Sequence, residues 1–170
     1  MNTLAACLFL LLDASGSVDA AEFKLQREAT AAALTSPEFL ARVEHEGGIA
    51  VAVAEFSGGT SHITDWKAIR TEVEAKAVAD AVFSTARTES GSTAVGDAVV
   101  EAVNAMSRAP ACERQVVDVS TDGRNNTGRE LAEAIDYARL RGVAVNALVI
   151  EDEPGLLDYY RDAVNGFALP

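Results

Sequence analysis

The chain has 170 residues, 49% of them apolar and 24% charged, with a formal net charge of −12. This length and composition fit one domain with a full core and exclude a disordered chain. The negative charge argues against binding nucleic acid or anionic membrane by bulk electrostatics.

The apolar run from Leu4 to Leu12 predicts a buried strand ending at Asp13. Leu4-Ala5-Ala6-Cys7 has the look of a lipoprotein processing site. Only three uncharged residues precede it, so it reads as the start of that strand, with a leader removed upstream as the other reading. Val18 to Leu34 predicts a helix with Leu25, Ala29, Ala32 and Ala33 inward. Ser36-Pro37 opens a short helical turn over Glu38 to Val43. Gly48 to Phe56 is β-rich, and Ser57-Gly58-Gly59 turns it back into a strand from Thr60 to Trp66. This hairpin makes the third strand antiparallel and an edge strand.

Val73 to Phe83 predicts a helix with Val78, Ala81 and Val82 inward. Gly91-Ser92-Thr93 opens another, striped by Val95, Ala98, Val99, Ala102 and Met106. Arg114 to Ser120 is a strand ending at Asp122-Gly123. Thr127 or Gly128 to Leu140 is a helix with Leu131, Ala134, Ile135 and Ala138 inward, stopped by Gly142. Val143 to Ile150 reads as a strand buried on both faces. Pro154 to Val164 is a last helix with Leu156, Tyr159, Tyr160 and Ala163 inward, and Phe167-Ala168-Leu169 begins a sixth strand. Strands alternating with helices predict an α/β, doubly wound, Rossmann-like fold whose sheet is mostly parallel. No repeat or linker interrupts residues 1–170, so a single domain is expected.

Two cysteines and two histidines without zinc spacing argue against a zinc site or a His-based triad. No apolar stretch is long enough to span a bilayer. The chemistry instead concentrates where strands end. Asp13-Ala14-Ser15-Gly16-Ser17 places one carboxylate and two hydroxyls behind the first strand. Thr93 opens a helix, and Thr121-Asp122-Gly123 follows the fourth strand. Ligands of open α/β sheets bind beyond the carboxyl ends of the strands. If strands one and four are neighbours, Asp13 and Asp122 converge, and two carboxylates with three hydroxyls surround one point. An oxygen-only set of this kind suits a hard divalent cation.

In order along the chain, Asp13-Ala14-Ser15-Gly16-Ser17, Gly91-Ser92-Thr93-Ala94-Val95-Gly96-Asp97-Ala98 and Ser120-Thr121-Asp122-Gly123 resemble the three parts of the metal-ion-dependent adhesion site. That site defines the von Willebrand factor A domain, also called the integrin I-like domain. Phe23-Lys24-Leu25-Gln26-Arg27, Val117 to Asn126 and Tyr159-Tyr160-Arg161 further resemble an uncharacterised bacterial subgroup of this fold. The resemblance implies a sheet of order 3-2-1-4-5-6 with strand 3 antiparallel and helices on both faces. It implies Mg²⁺, with Mn²⁺ or Ca²⁺ as alternatives. Ser15, Ser17 and Thr93 would contact the ion, and Asp13 and Asp122 would do so directly or through water. A carboxylate from a partner protein would complete the shell. Domains of this fold usually close with a further helix. Here the chain stops at Pro170, so that helix is expected to be missing, along with an affinity switch worked through it.

The expected function is therefore a metal-dependent protein-binding module, not an enzyme, acting in a bacterial periplasm or outside the cell, with the cytoplasm as the alternative. Two other classes compete. One is a structural or assembly subunit with a vestigial metal site. The other is a Mg²⁺-dependent phosphotransfer enzyme with Asp13 as nucleophile, although the position two residues on, where such enzymes want a second carboxylate, is Ser15.

Plainer readings stand beside these. The Asp13 loop and Thr93 could each be helix N-caps, and Asp122-Gly123 a turn. Asp118 interrupts a buried strand, either to orient the metal site or to hydrogen-bond within the sheet. Asp97 is a solvated helix residue or a group that supports Thr93. Arg124, Asn125 and Asn126 are a partner-facing rim or a polar loop. Cys7 and Cys112, on strands expected to be neighbours, form either a disulfide, which would mean an oxidising compartment, or two unrelated thiols.

Overall fold

A computed structural model describes residues 3–150 and 153–165. Five strands form one sheet, β1 (Leu4–Asp13), β2 (Ile49–Phe56), β3 (Thr60–Ile69), β4 (Cys112–Thr121) and β5 (Val143–Val149), in the order β3-β2-β1-β4-β5. β1 pairs in parallel with β2 and β4, β4 in parallel with β5, and among the described residues only β2–β3 is antiparallel. This is the expected doubly wound order. The sixth strand expected at Phe167–Leu169 lies outside the described residues.

The helices divide between the two faces. α1 (Ala20–Leu34), α2 (Pro37–Glu46) and α3 (Glu72–Ser84) lie on one side. There Leu34, Val43, Ala75, Val78 and Val82 pack with Leu12, Val51, Val53 and Ile69. α4 (Val95–Ala105), α5 (Leu131–Arg139) and α6 (Leu156–Asn165) lie on the other. There Val95, Val99, Leu131, Ile135 and Tyr160 pack with Phe9, Leu11, Val117 and Val119. Successive side chains of a strand point to opposite faces, so Phe9 and Leu11 enter one layer and Leu12 the other. Phe9 also meets His62 and Trp66 of β3 edge-on. A disulfide joins Cys7 of β1 to Cys112, the first residue of β4, with Cα atoms 5.7 Å apart.

Four expectations change. α2 is a ten-residue helix, not a turn: Ser36 caps its start and Gly47, at φ 74°, closes it in the left-handed region. α5 begins at Leu131, because Gly128 at φ 71° holds the preceding segment as a loop. Leu25 is 64% exposed, and α1 buries Phe23, Gln26, Arg27 and Leu34 instead. The helix presents its polar Gln26 and Arg27 inward because Ser120 and Glu55 supply their hydrogen bonds. β5 is buried on one face only, and Leu148 stays 69% exposed. Leu25, Leu148 and Ile150 line an apolar groove of about 830 Å³ between α1 and the β4–β5 side of the sheet, with Leu8 and Leu10 also on its walls.

Candidate metal centre

β1 is the central strand, and its end at Asp13 lies between the ends of β2 and β4. Past Asp13 the Ala14 amide still donates to the Phe56 carbonyl of β2 at 2.8 Å, and the backbone then turns out of the sheet. The Gly16 amide donates to the Gly91 carbonyl at 2.7 Å, which ties the Asp13–Ser17 loop to the loop before α4. A β-carbon on Gly16 would stand 3.2 Å from that carbonyl oxygen, so glycine permits the close approach.

Asp13, Ser15, Thr93 and Asp122 are buried, while Ser17 reaches solvent. The Asp13 carboxylate accepts from the Ser15 amide at 2.8 Å and from the Thr121 hydroxyl at 2.5 Å. The Ser17 hydroxyl donates to Asp122 Oδ1 at 2.8 Å and lies 3.2 Å from the Ser15 hydroxyl. A β-carbon placed on Gly123 would be 3.6 Å from both the Ser17 and the Thr93 hydroxyl oxygens, so Thr93 joins the same cluster. All five predicted residues are thus brought together, from three separate loops.

The capping alternatives fail for the serines and for Thr93. α1 is capped by Asp19, which accepts from the Ala21 and Glu22 amides in a capping box with Glu22. α4 has Ala94 at its N-cap and no side-chain cap bond. The hydroxyls of Ser15, Ser17 and Thr93 are therefore not used to start helices.

Asn125 and Asn126 fasten the Asp122 loop to α4. Asn126 Oδ1 accepts from the Thr93 amide at 2.9 Å, the Asn126 amide donates to the Thr93 carbonyl at 3.0 Å, and Asn125 Oδ1 accepts from the Gly96 amide at 3.0 Å. Asp97 stays exposed and meets Arg129, its oxygen accepting the Arg129 amide at 3.3 Å. Asp118 accepts from Asn146 Nδ2 at 2.7 Å, the in-sheet hydrogen bond that was one of its two readings. Arg124 pairs with Glu153 at 2.6 Å and stacks on Tyr159.

The roles of three groups escape sequence reasoning. Thr121 orients Asp13 through its hydroxyl. Tyr160, from α6, donates to the Gly123 carbonyl at 2.7 Å. Burial pushes its phenol well above the usual tyrosine range, and the charges of Asp13 and Asp122 add to the effect. Glu55 is a buried charge at the end of an otherwise apolar strand and pairs with Arg27 at 2.7 Å. That interruption of the β2 pattern was the one available signal, of the same kind that singled out Asp118.

The donor set fits a hard cation. It offers two carboxylates and three hydroxyls, all oxygen, with Asp13 fully buried and satisfied only by neutral donors. A carboxylate in that position keeps its charge at a large desolvation cost unless a cation compensates it. Among the described residues no cluster of three or more His, Cys, Asp or Glu side chains gathers as metal ligands, so hydroxyls would have to do part of the work.

This sheet order is that of the von Willebrand factor A fold, and solved structures share it. A von Willebrand factor type A protein from Catenulispora acidiphila superposes with a TM-score of 0.67 at 21% identity, over 95% of this chain and 37% of that one. Proximal thread matrix protein 1 from the mussel byssus, in a form with a zinc-occupied MIDAS motif, gives 0.62 at 22% over 86% and 36%. BatB from Bacteroides thetaiotaomicron gives 0.62 at 20% over 85% and 66%. The chain thus spans about a third of the length of the mussel protein. Residues 3–167 match the family described as "Protein of unknown function (DUF1194)", and the chain belongs to that family. No curated protein matches it.

Proposed function

We propose that the chain is a divalent-metal-dependent protein-binding module, with Asp13, Ser15, Ser17, Thr93 and Asp122 holding Mg²⁺ and an acidic residue of a partner protein completing its shell. One observation carries this reading: a buried carboxylate pair and three hydroxyls unused as helix caps converge beyond the central strand. The bound ion would supply the positive charge that lets a protein of net charge −12 attract an acidic group. The zinc-occupied motif of the mussel protein supports a divalent ion in this fold.

The reading is non-catalytic. His45 lies on α2 and His62 on β3, where it faces Asp65 and Glu101, so neither belongs to the site loops. The Cys7–Cys112 disulfide supports an oxidising compartment, either the periplasm or outside the cell. No helix among the described residues is long and apolar enough to cross a membrane.

Thermal unfolding with and without MgCl₂ tests the proposal. At an ion concentration a hundred times Kd, binding stabilises by about 2.7 kcal/mol, which raises Tm by about 5–10 °C for a chain of this size. Asp13→Ala is expected to abolish the shift. A wild-type protein whose Tm ignores Mg²⁺, Mn²⁺ and Ca²⁺ alike would overturn the reading.

A further inference from the structure

Arg87 lies outside the donor set, in the segment 85–94 between α3 and α4, yet it gathers the backbone of the Asp13–Ser17 loop. Its Nη2 donates to the carbonyl oxygens of Ala14 and Ser15, both at 2.5 Å. Its Nη1 donates to the Val18 carbonyl at 2.9 Å, and its Nε donates to the carbonyls of Glu89 at 3.0 Å and Ala14 at 3.2 Å. Phe23 lies 5.1 Å from the guanidinium carbon.

The segment carrying Arg87 is itself fixed. Glu55 Oε1 accepts from the Thr88 amide and hydroxyl at 2.5 Å and from the Glu89 amide at 2.9 Å. The other Glu55 oxygen is held by Arg27, which also donates to the carbonyls of Val82 and Thr85. The segment 85–94, which carries Thr93, is therefore tied to the loop of Ser15 and Ser17 by this planar fork as well as by the Gly16–Gly91 bond, and the fork's several donors fix both distance and direction.

A backbone carbonyl is a competent ligand for a hard cation, and Ca²⁺ readily recruits such carbonyls at longer distances than Mg²⁺ tolerates. Arg87 commits three of them, Ala14, Ser15 and Val18, away from that role. We infer that Arg87 is a positioning residue that sets the ion preference of the site: by fixing the loops and withholding these carbonyls it favours Mg²⁺ over the larger Ca²⁺. The inference rests on the metal-binding reading above.

Titration calorimetry of the full chain with MgCl₂ and with CaCl₂ tests it, alongside Tm in chelator. Arg87→Lys keeps the charge but loses the fork, and Arg87→Met loses both. Each is expected to fold in chelator with a wild-type circular dichroism spectrum and to bind Mg²⁺ about tenfold more weakly or worse. Ca²⁺ affinity is expected to stay within about threefold, so the Mg²⁺/Ca²⁺ ratio falls, with Arg87→Met falling further. An unchanged ratio, or equal losses for both ions, overturns the inference and leaves the metal reading standing. Arg87→Lys unfolding in chelator also contradicts it, because the inference assigns Arg87 to the loops and not to the core. A wild-type chain that binds neither ion fails at the earlier step and removes the metal reading as well.

Discussion

Removing the Cys7–Cys112 link is expected to destabilise the fold more than a simple packing change would. The bridge closes a loop between residues 105 apart in sequence. On the chain-entropy account, cross-linking a loop on the order of 100 residues stabilises by about 4.7 kcal/mol, mostly by restricting the unfolded chain. Cys7→Ala with Cys112→Ala also deletes two sulfur atoms. The Cys7 atom is fully buried and the Cys112 atom half-buried, a packing loss of about 1 kcal/mol on the scale of a buried methylene. Removing a native bridge from a small domain typically costs about 2–5 kcal/mol, so with the packing part a total loss of about 3–5 kcal/mol is expected. With a urea slope of about 2 kcal/mol/M the unfolding midpoint should fall by roughly 2 M, and the slope should steepen as the unlinked chain expands. Wild-type protein in dithiothreitol should show the same fall without the packing part. A midpoint that moves by less than about 0.5 M in fully reduced protein, against the expected shift, would refute the reasoning. So would two titratable thiols in the folded, unreduced chain.

Two further changes probe the sheet and the site frame. Burial holds the Asp118 carboxyl above its ordinary 3.8, against the pull of Asn146. The folded state therefore keeps the proton longer than the unfolded state, and stability is lost as pH rises from just under 4 through the raised value. Asp118→Asn keeps an acceptor for Asn146 and removes that loss, so it should be the more stable form at neutral pH and show a flatter urea midpoint against pH; a variant less stable than wild type at pH 7 contradicts this. Gly96→Ala would drive its new methyl into the Arg129 carbonyl, forcing the Asp122 loop away from α4. It should lose about 1–3 kcal/mol of stability by overpacking, and the Mg²⁺-induced Tm shift should shrink even though no metal oxygen is removed.

The alternation of strands and helices and the three site segments were legible because β1 is an unbroken apolar run that ends abruptly in polar residues and β2, β4 and β5 are largely apolar, while the strand order came from the family resemblance. Asp13, Thr93 and Asp122 all sit at such breaks or at the helix start beside them. The stripes of α4 and α5 were equally plain, since Val95, Ala98, Val99 and Ala102, and Leu131, Ala134, Ile135 and Ala138, are buried as expected. α1 was misjudged because apolar periodicity cannot separate a core face from a groove wall. Leu25 belongs to the wall, while Gln26 and Arg27 are buried on the strength of partners far away in sequence. Arg87 left no local trace at all. Its five donated bonds go to backbone carbonyls, and carbonyls carry no sequence signature.

The division of the proposed ligands between acids and hydroxyls bears on what the site can bind. Asp13 and Asp122 together carry two negative charges, which a divalent ion neutralises. Were positions 15, 17 and 93 also acidic, as in oxygen cages built to retain Ca²⁺, the ion would be held more tightly but the loaded site would be anionic. It would then repel an acidic partner across a surface that is already negative. Hydroxyls supply the same number of oxygens without charge, so the ion keeps its pull on one more carboxylate. Ser17→Asp separates the two properties: on the proposed reading it should hold Mg²⁺ at least as firmly as wild type, measured by calorimetry, while a glutamate-bearing peptide that binds the Mg²⁺-loaded wild type binds it at least tenfold more weakly. Tighter peptide binding by this variant would mean that the ion's residual charge is not what recruits the partner.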